Sequence, residues 1–162
     1  MDWKLLFTMQ QQLDTYIEAN QEVSGKNLFE EKILALFVEI AELANETRCF
    51  KFWSNKPKNE DDVILAEYVD GLHFIMSLGL DCGYQYEAQT ITTDDSSTAT
   101  EHFNRVIASC TLFKQEPTAV YYEELFVQYL QLGKKLGFDE EAIFQAYRKK
   151  NEINYERQDK GY

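Results

Sequence analysis

Two apolar segments of this chain each carry a pair of acids three residues apart, and few folds can accommodate that. Glu39 stands with Glu42 in the first, and Glu67 with Asp70 in the second. Residues three apart on a helix share a face, so each pair presents two carboxylates side by side. Around the first pair lie Ile33, Leu34, Leu36, Phe37, Ile40 and Leu43. Around the second lie Val63, Ile64, Leu65, Val69, Leu72, Phe74, Ile75 and Met76. Helices that are apolar nearly all round are buried helices. A bare carboxylate there is strongly destabilising unless it is paired or binds a metal, and neither segment supplies a Lys or Arg within its own apolar turns. A divalent cation between the pairs removes the conflict. An all-carboxylate donor set favours a hard ion, Mg²⁺ or Mn²⁺, over zinc. The competing reading places each pair on a solvated stripe.

The rest of the chain reads as helices around these two. Leu6, Met9, Leu13, Tyr16 and Ile17 form a helical stripe within residues 2–20, broken by Ser24-Gly25-Lys26-Asn27. A second helix is expected over 28–47. After Lys51-Phe52-Trp53 and a polar loop, a third is capped by Asp61 or Asp62 and ends near Gly79 to Gly83. Residues 85–98 are rich in Ser, Thr and Asp. They read as a long mobile loop, either a functional lid or a plain surface insertion. Thr98 to Glu101 is a capping box opening a fourth helix, and Pro117 begins a fifth that stops at Gly137. Asp139 caps a sixth, with Phe138 and Ile143 spaced for a hydrophobic staple. With only two prolines and no sustained alternation, the expectation is an all-α, compact bundle of about six helices, one domain spanning 1–162.

Charge narrows the function. A formal net charge of −12 argues against binding a nucleic acid polymer through a basic surface. An acidic protein that handles a polyanionic small molecule must use metal and a few focused cations. Cys49, Cys82 and Cys110 form no CxxC and read as reduced thiols of a cytoplasmic protein. No leader or long apolar run stands out, so no membrane association is expected.

Two further groups extend the acid face. His73 and Phe74 follow Asp70 by three and four residues, one turn on. They are either core residues or a ligand platform, Phe74 stacking on a flat heterocycle and His73 hydrogen-bonding its edge. In the last helix Lys150, Asn154 and Arg157 share a face. They form either a solvated stripe or a grip on phosphate oxygens, with the amides of Asn151, Asn154 and Gln158 reading polar edges.

Four motifs together resemble the dimeric all-α dUTPases, within the wider MazG-like all-α nucleoside triphosphate pyrophosphatases. They are MQQQLD (residues 9–14), ALFVEIAELANE with KFW downstream (35–53), EYVDGLHF (67–74) and KNEINYERQDKGY (150–162). ExxE, 24 residues and then ExxD is common to the superfamily. LHF after ExxD, with KNxxNxxRQxxGY, is specific to the dUTPase branch. The resemblance implies hydrolysis of dUTP, and possible use of dUDP, to give dUMP and pyrophosphate by a homodimer with two or more Mg²⁺ ions, Mn²⁺ able to substitute. It implies Glu39, Glu42, Glu67 and Asp70 as metal ligands, with Glu42 also the base orienting the attacking water. His73, Phe74, Asn154, Gln10 and Asp14 would face the deoxyuridine, with Gln11 an alternative to Gln10 and Trp53 a further packing surface. Lys51, Lys150, Arg157 and Tyr162 would face the phosphates. Asp14 departs from the pattern, since many relatives carry Asn there. The Tyr-rich fifth helix (Tyr121, Tyr122, Tyr129) is expected to offer an apolar face to the second subunit, and residues 90–98 to reach the neighbour's site. Two readings compete with this one: a MazG-like enzyme of broader or different preference, such as dCTP, and a non-catalytic helical interaction protein.

Overall fold

A computed structural model describes residues 1–92 and 96–161. Among these there are six α-helices and no strand: α1 (Trp3–Asn20), α2 (Phe29–Thr47), α3 (Asp61–Cys82), α4 (Ala99–Gln115), α5 (Ala119–Lys135) and α6 (Glu140–Asp159). The all-α expectation holds. Four helices, α1, α2, α5 and α6, pack on α3, and α4 closes the bundle against α2 and α5. One continuous apolar core runs through all six.

The caps explain the boundaries. Thr98 accepts from the Glu101 N–H while the Glu101 carboxylate accepts from the Thr98 N–H, the expected capping box. Asp139 accepts from Ala142 N–H at 2.7 Å and starts α6. Two boundary assignments shift. The α3 N-cap is Glu60, without a side-chain bond, and Asp61 and Asp62 fall in the first turn, where their charge suits the helix dipole. Thr118, not Pro117, caps α5. At the end of α2, Arg48 adopts a left-handed conformation (φ 57°) unusual outside glycine. Its guanidinium donates to Ser54 Oγ at 2.8 Å and to the Lys56 carbonyl at 3.3 Å, holding the turn that leads to α3.

The centre of the bundle is an α3–α5 crossing made close by glycine. Tyr68 and Tyr129 stack at 4.7 Å, and each hydroxyl donates to the other residue's carbonyl, at 3.2 and 2.8 Å. A Cβ at Gly71 would lie 2.1 Å from the Tyr129 hydroxyl, so only glycine fits there. This overturns the sequence expectation for the fifth helix. Tyr122 and Tyr129 are buried in the chain's own core, and Tyr121 is half-buried against it.

Residues 85–92 also differ from the mobile loop expected of them. Tyr86 is buried, stacked on Phe126 at 4.4 Å and edge-on to Trp3 at 5.3 Å. Lys134 donates to the Ile91 carbonyl at 2.7 Å and Gln131 to the Thr92 carbonyl at 3.0 Å. The segment is tied to α5 by an aromatic anchor that its polar composition conceals. Residues 93–95, within the segment expected to reach the neighbour's site, lie outside the described residues. By length and composition α3 could cross a membrane, but 61% of its most apolar window is buried among its neighbours, where it forms the core.

Candidate active site

The acid pairs meet because α2 and α3 run antiparallel. Lys32 binds Asp81 at one end of the hairpin, and Asn59 binds Glu46 at the other. Ligand-capable oxygens of Glu39, Glu67 and Asp70 lie within 4.8 Å of one another, each side chain half-buried. Burial, then the charges of Asp70, Glu42 and Glu67, pushes Glu39 up to about 7. Glu67 is raised by burial and by Asp70 and Glu42. Asp70 is raised by burial, against the lowering effect of Lys150, whose ammonium pairs with its carboxylate. Three acids held together against Lys150 and Arg157 stay raised by burial and by neighbouring carboxylates, and an oxygen-only donor set of this kind fits a hard divalent cation. Glu42 stands apart from the triad. It is exposed, three residues beyond Glu39, and acts on Glu39 and Glu67 through its charge.

Beside the triad lies a cleft of roughly 390 Å³ between α1, α3 and α6, with Lys32 at its α2 wall. Glu39, Asp70, His73, Phe74, Lys150, Asn154 and Arg157 all line it, with Gln10 and Asp14 from α1. The stripe on α6 faces this cleft because α6 packs on both α1 and α3. Apolar walls come from Leu13, Ile17, Val23 and Leu28.

The cleft floor is a hydrogen-bond network centred on Gln10. Gln10 is buried. Its Nε2 donates to Asp14 Oδ1 at 2.8 Å, and its Oε1 contacts His73 Nδ1 at 2.8 Å and the Tyr147 hydroxyl at 2.5 Å. The His73 and Tyr147 rings stack at 4.0 Å and 15°. Burial lowers His73 to about 3, so its ring is neutral. Burial raises the Asp14 carboxyl.

Some expected residues lie elsewhere. Lys51 pairs with Asn45 and sits 5.5 Å over the Phe50 ring, and Trp53 is 64% exposed beside Phe50 and Phe52. Both belong to the turn after α2, and neither lines the cleft. Gln11 is exposed whereas Gln10 is buried, which separates the two amides that the sequence left as alternatives. Tyr162 lies outside the described residues. Tyr147 was missed. It precedes Lys150 by three residues and Asn154 by seven, so the helical period that found those two would have found it.

A family model described as dUTPase matches residues 2–162 of the chain. No curated protein matches it.

Proposed function

The chain belongs to the all-α dUTPase family and is a dUTP diphosphatase by that membership, and from this premise we propose a Mg²⁺-dependent enzyme that releases dUMP and pyrophosphate, limiting uracil incorporation into DNA and supplying dUMP. The supporting observation is the Glu39–Glu67–Asp70 triad, of which Glu39 and Asp70 line one cleft together with amide, imidazole and cationic side chains. Two or more Mg²⁺ ions, or Mn²⁺ in their place, would supply Lewis-acid chemistry at the phosphates when bound. Glu39, Glu67 and Asp70 would hold the metal, with Glu42 a fourth carboxylate at the solvent edge. Glu42 orients the attacking water and accepts its proton. Lys150 and Arg157, on one face of α6, hold phosphate charge. Asn154 reads a polar edge of the base, and Phe74 packs against its flat surface. The same groups could admit dUDP.

Base selectivity tests this reading. Cytosine reverses the donor and acceptor pattern of uracil at C4 and N3, so it leaves buried polar groups of the site unpaired, at about 1–3 kcal/mol each. Thymine differs only by a methyl, which must be excluded by packing. With Trp53 outside the cleft, Phe74 carries that role. Pyrophosphate release with Mg²⁺ should favour dUTP over dCTP and dTTP by at least roughly tenfold in kcat/KM, about 1.4 kcal/mol of discrimination. Asn154→Ala should weaken dUTP turnover, and Phe74→Ala should erode discrimination against dTTP more than against dCTP. Equal turnover of dCTP or dTTP by the wild-type enzyme would move the chain to the broader MazG-like reading. No turnover of any deoxynucleoside triphosphate would leave the non-catalytic interaction protein.

The assembly we propose is a homodimer acting in the cytoplasm, and the three free thiols suit a reducing compartment. With the α5 tyrosines internal, the support comes from α2 and α4, which pack together and expose Leu34 (65%), Val38 (45%) and Ile107 (40%). Sedimentation should give twice the 19.0 kDa chain mass; a fully active monomer removes the dimer.

A further inference from the structure

We propose that Tyr147 and Gln10 act as positioning residues that fix His73 in the tautomer leaving Nε2 a bare acceptor, and that this acceptor sets the preference for uracil over cytosine. The proposal rests on reading the cleft as the base site, and Tyr147 itself does not line that cleft.

Asp14 orients the network. Gln10 Nε2 donates to Asp14 Oδ1, and a carboxylate oxygen only accepts. The amide is therefore turned with its nitrogen toward Asp14, and its carbonyl oxygen toward Tyr147 and His73. A carbonyl oxygen also only accepts, so the Tyr147 hydroxyl and His73 Nδ1 must both donate to it. His73 then carries its proton on Nδ1. Free neutral imidazole in water mostly carries it on Nε2, so the network imposes the less common form. Burial keeps the ring from taking a second proton.

The consequence falls on the other nitrogen. His73 Nε2 is buried and has no hydrogen-bond partner among the described residues, in a residue that is only 6% exposed and lines the cleft. It is a lone pair that a bound donor would satisfy. Uracil offers such a donor in N3–H, whereas cytosine offers a lone pair at N3, and two acceptors would face each other. Thymine keeps N3–H, so the network does not discriminate against it. Tyr147 contributes twice, by its hydroxyl to Gln10 and by its stacking on the imidazole, which fixes the ring plane.

Nitrogen-15 NMR of the nucleotide-free wild-type protein reads the tautomer directly. The expected spectrum shows His73 protonated at Nδ1 and bare at Nε2. His73 is distinguished from His102, the other histidine, by its response to Tyr147→Phe. Gln10→Met should move the proton to Nε2 and lower the ratio of kcat/KM for dUTP to that for dCTP at least tenfold. Tyr147→Phe, which retains the stack, should lower the ratio several-fold and leave the dUTP to dTTP ratio unchanged. A wild-type His73 protonated on Nε2 overturns the network, whatever the selectivity. A wild-type His73 protonated on Nδ1 in an enzyme that does not distinguish dUTP from dCTP overturns the base-site reading, and this proposal with it. An unchanged dUTP to dCTP ratio in Tyr147→Phe removes Tyr147 from the assignment.

Discussion

Glu42→Gln is expected to lower Mg²⁺-dependent dUTP turnover at least about a hundredfold and to leave the fold intact, the loss being on the scale of removing a general base. Glu42 lies on α2 one turn beyond Glu39 and is exposed. Its charge reaches Glu39 and Glu67, so it belongs electrostatically to the acid group although its oxygens are outside the triad. The amide of glutamine can neither accept the proton of an attacking water nor ligate as an anion. Because the side chain is solvated and packs little, the substitution should stay within the roughly ±0.5 kcal/mol typical of surface changes. Turnover by kcat/KM, with circular dichroism and thermal melts as controls, separates these effects. Near-full activity in a well-folded variant would mean that Glu42 only decorates the helix surface, and that a different group handles the water.

The features legible in the sequence were those fixed by local rules. The helix count followed from apolar periodicity and turn residues, and the Thr98 and Asp139 caps followed from side chains that bond within one turn. The acids were found because carboxylates inside apolar helices conflict with burial, and such a conflict is visible without a structure. Tertiary pairing was less legible. Tyr122 and Tyr129 suggested an outward apolar face, yet Gly71 and Gly79 on α3 open the space that receives their hydroxyl ends. A glycine inside an apolar helix signals close approach, but not which helix approaches. Tyr86 anchors a segment whose composition is that of a loop, and its partners Trp3 and Phe126 are distant in sequence. Lys51 and Trp53 follow α2 closely, yet they lie beyond the left-handed Arg48 and outside the cleft. Lys150 was expected near phosphate. In the structure its ammonium pairs with the Asp70 carboxylate.

Without metal or nucleotide, the protein is expected to lose stability as pH rises from about 5 to 8. Glu39 has a folded-state pKa of about 7 against an ordinary value of 4.5, through burial first and its acidic neighbours second. Between these values the native state holds a proton that the unfolded chain has released, so raising the pH favours unfolding. The stability contributed by the protonated acid is fully present below about 4.5 and is lost as pH passes 7. Glu67 and Asp70 are also raised and act in the same direction. In EDTA, Glu39→Gln should flatten this decline and melt at a higher temperature than wild type at pH 8, since a neutral amide relieves the repulsion. Adding Mg²⁺ at pH 8 reverses the order. A cation bound only by the folded state, at a hundred times its Kd, adds about 2.7 kcal/mol, a shift of about 5–10 °C in Tm for a chain of this size. Wild type should show that shift and Glu39→Gln should lose most of it, because its triad is one anion short. The paired melts therefore probe the metal reading without any turnover. A wild-type Tm that Mg²⁺ and Mn²⁺ both leave unmoved at pH 8 would show that Glu39, Glu67 and Asp70 do not hold a cation in the free protein.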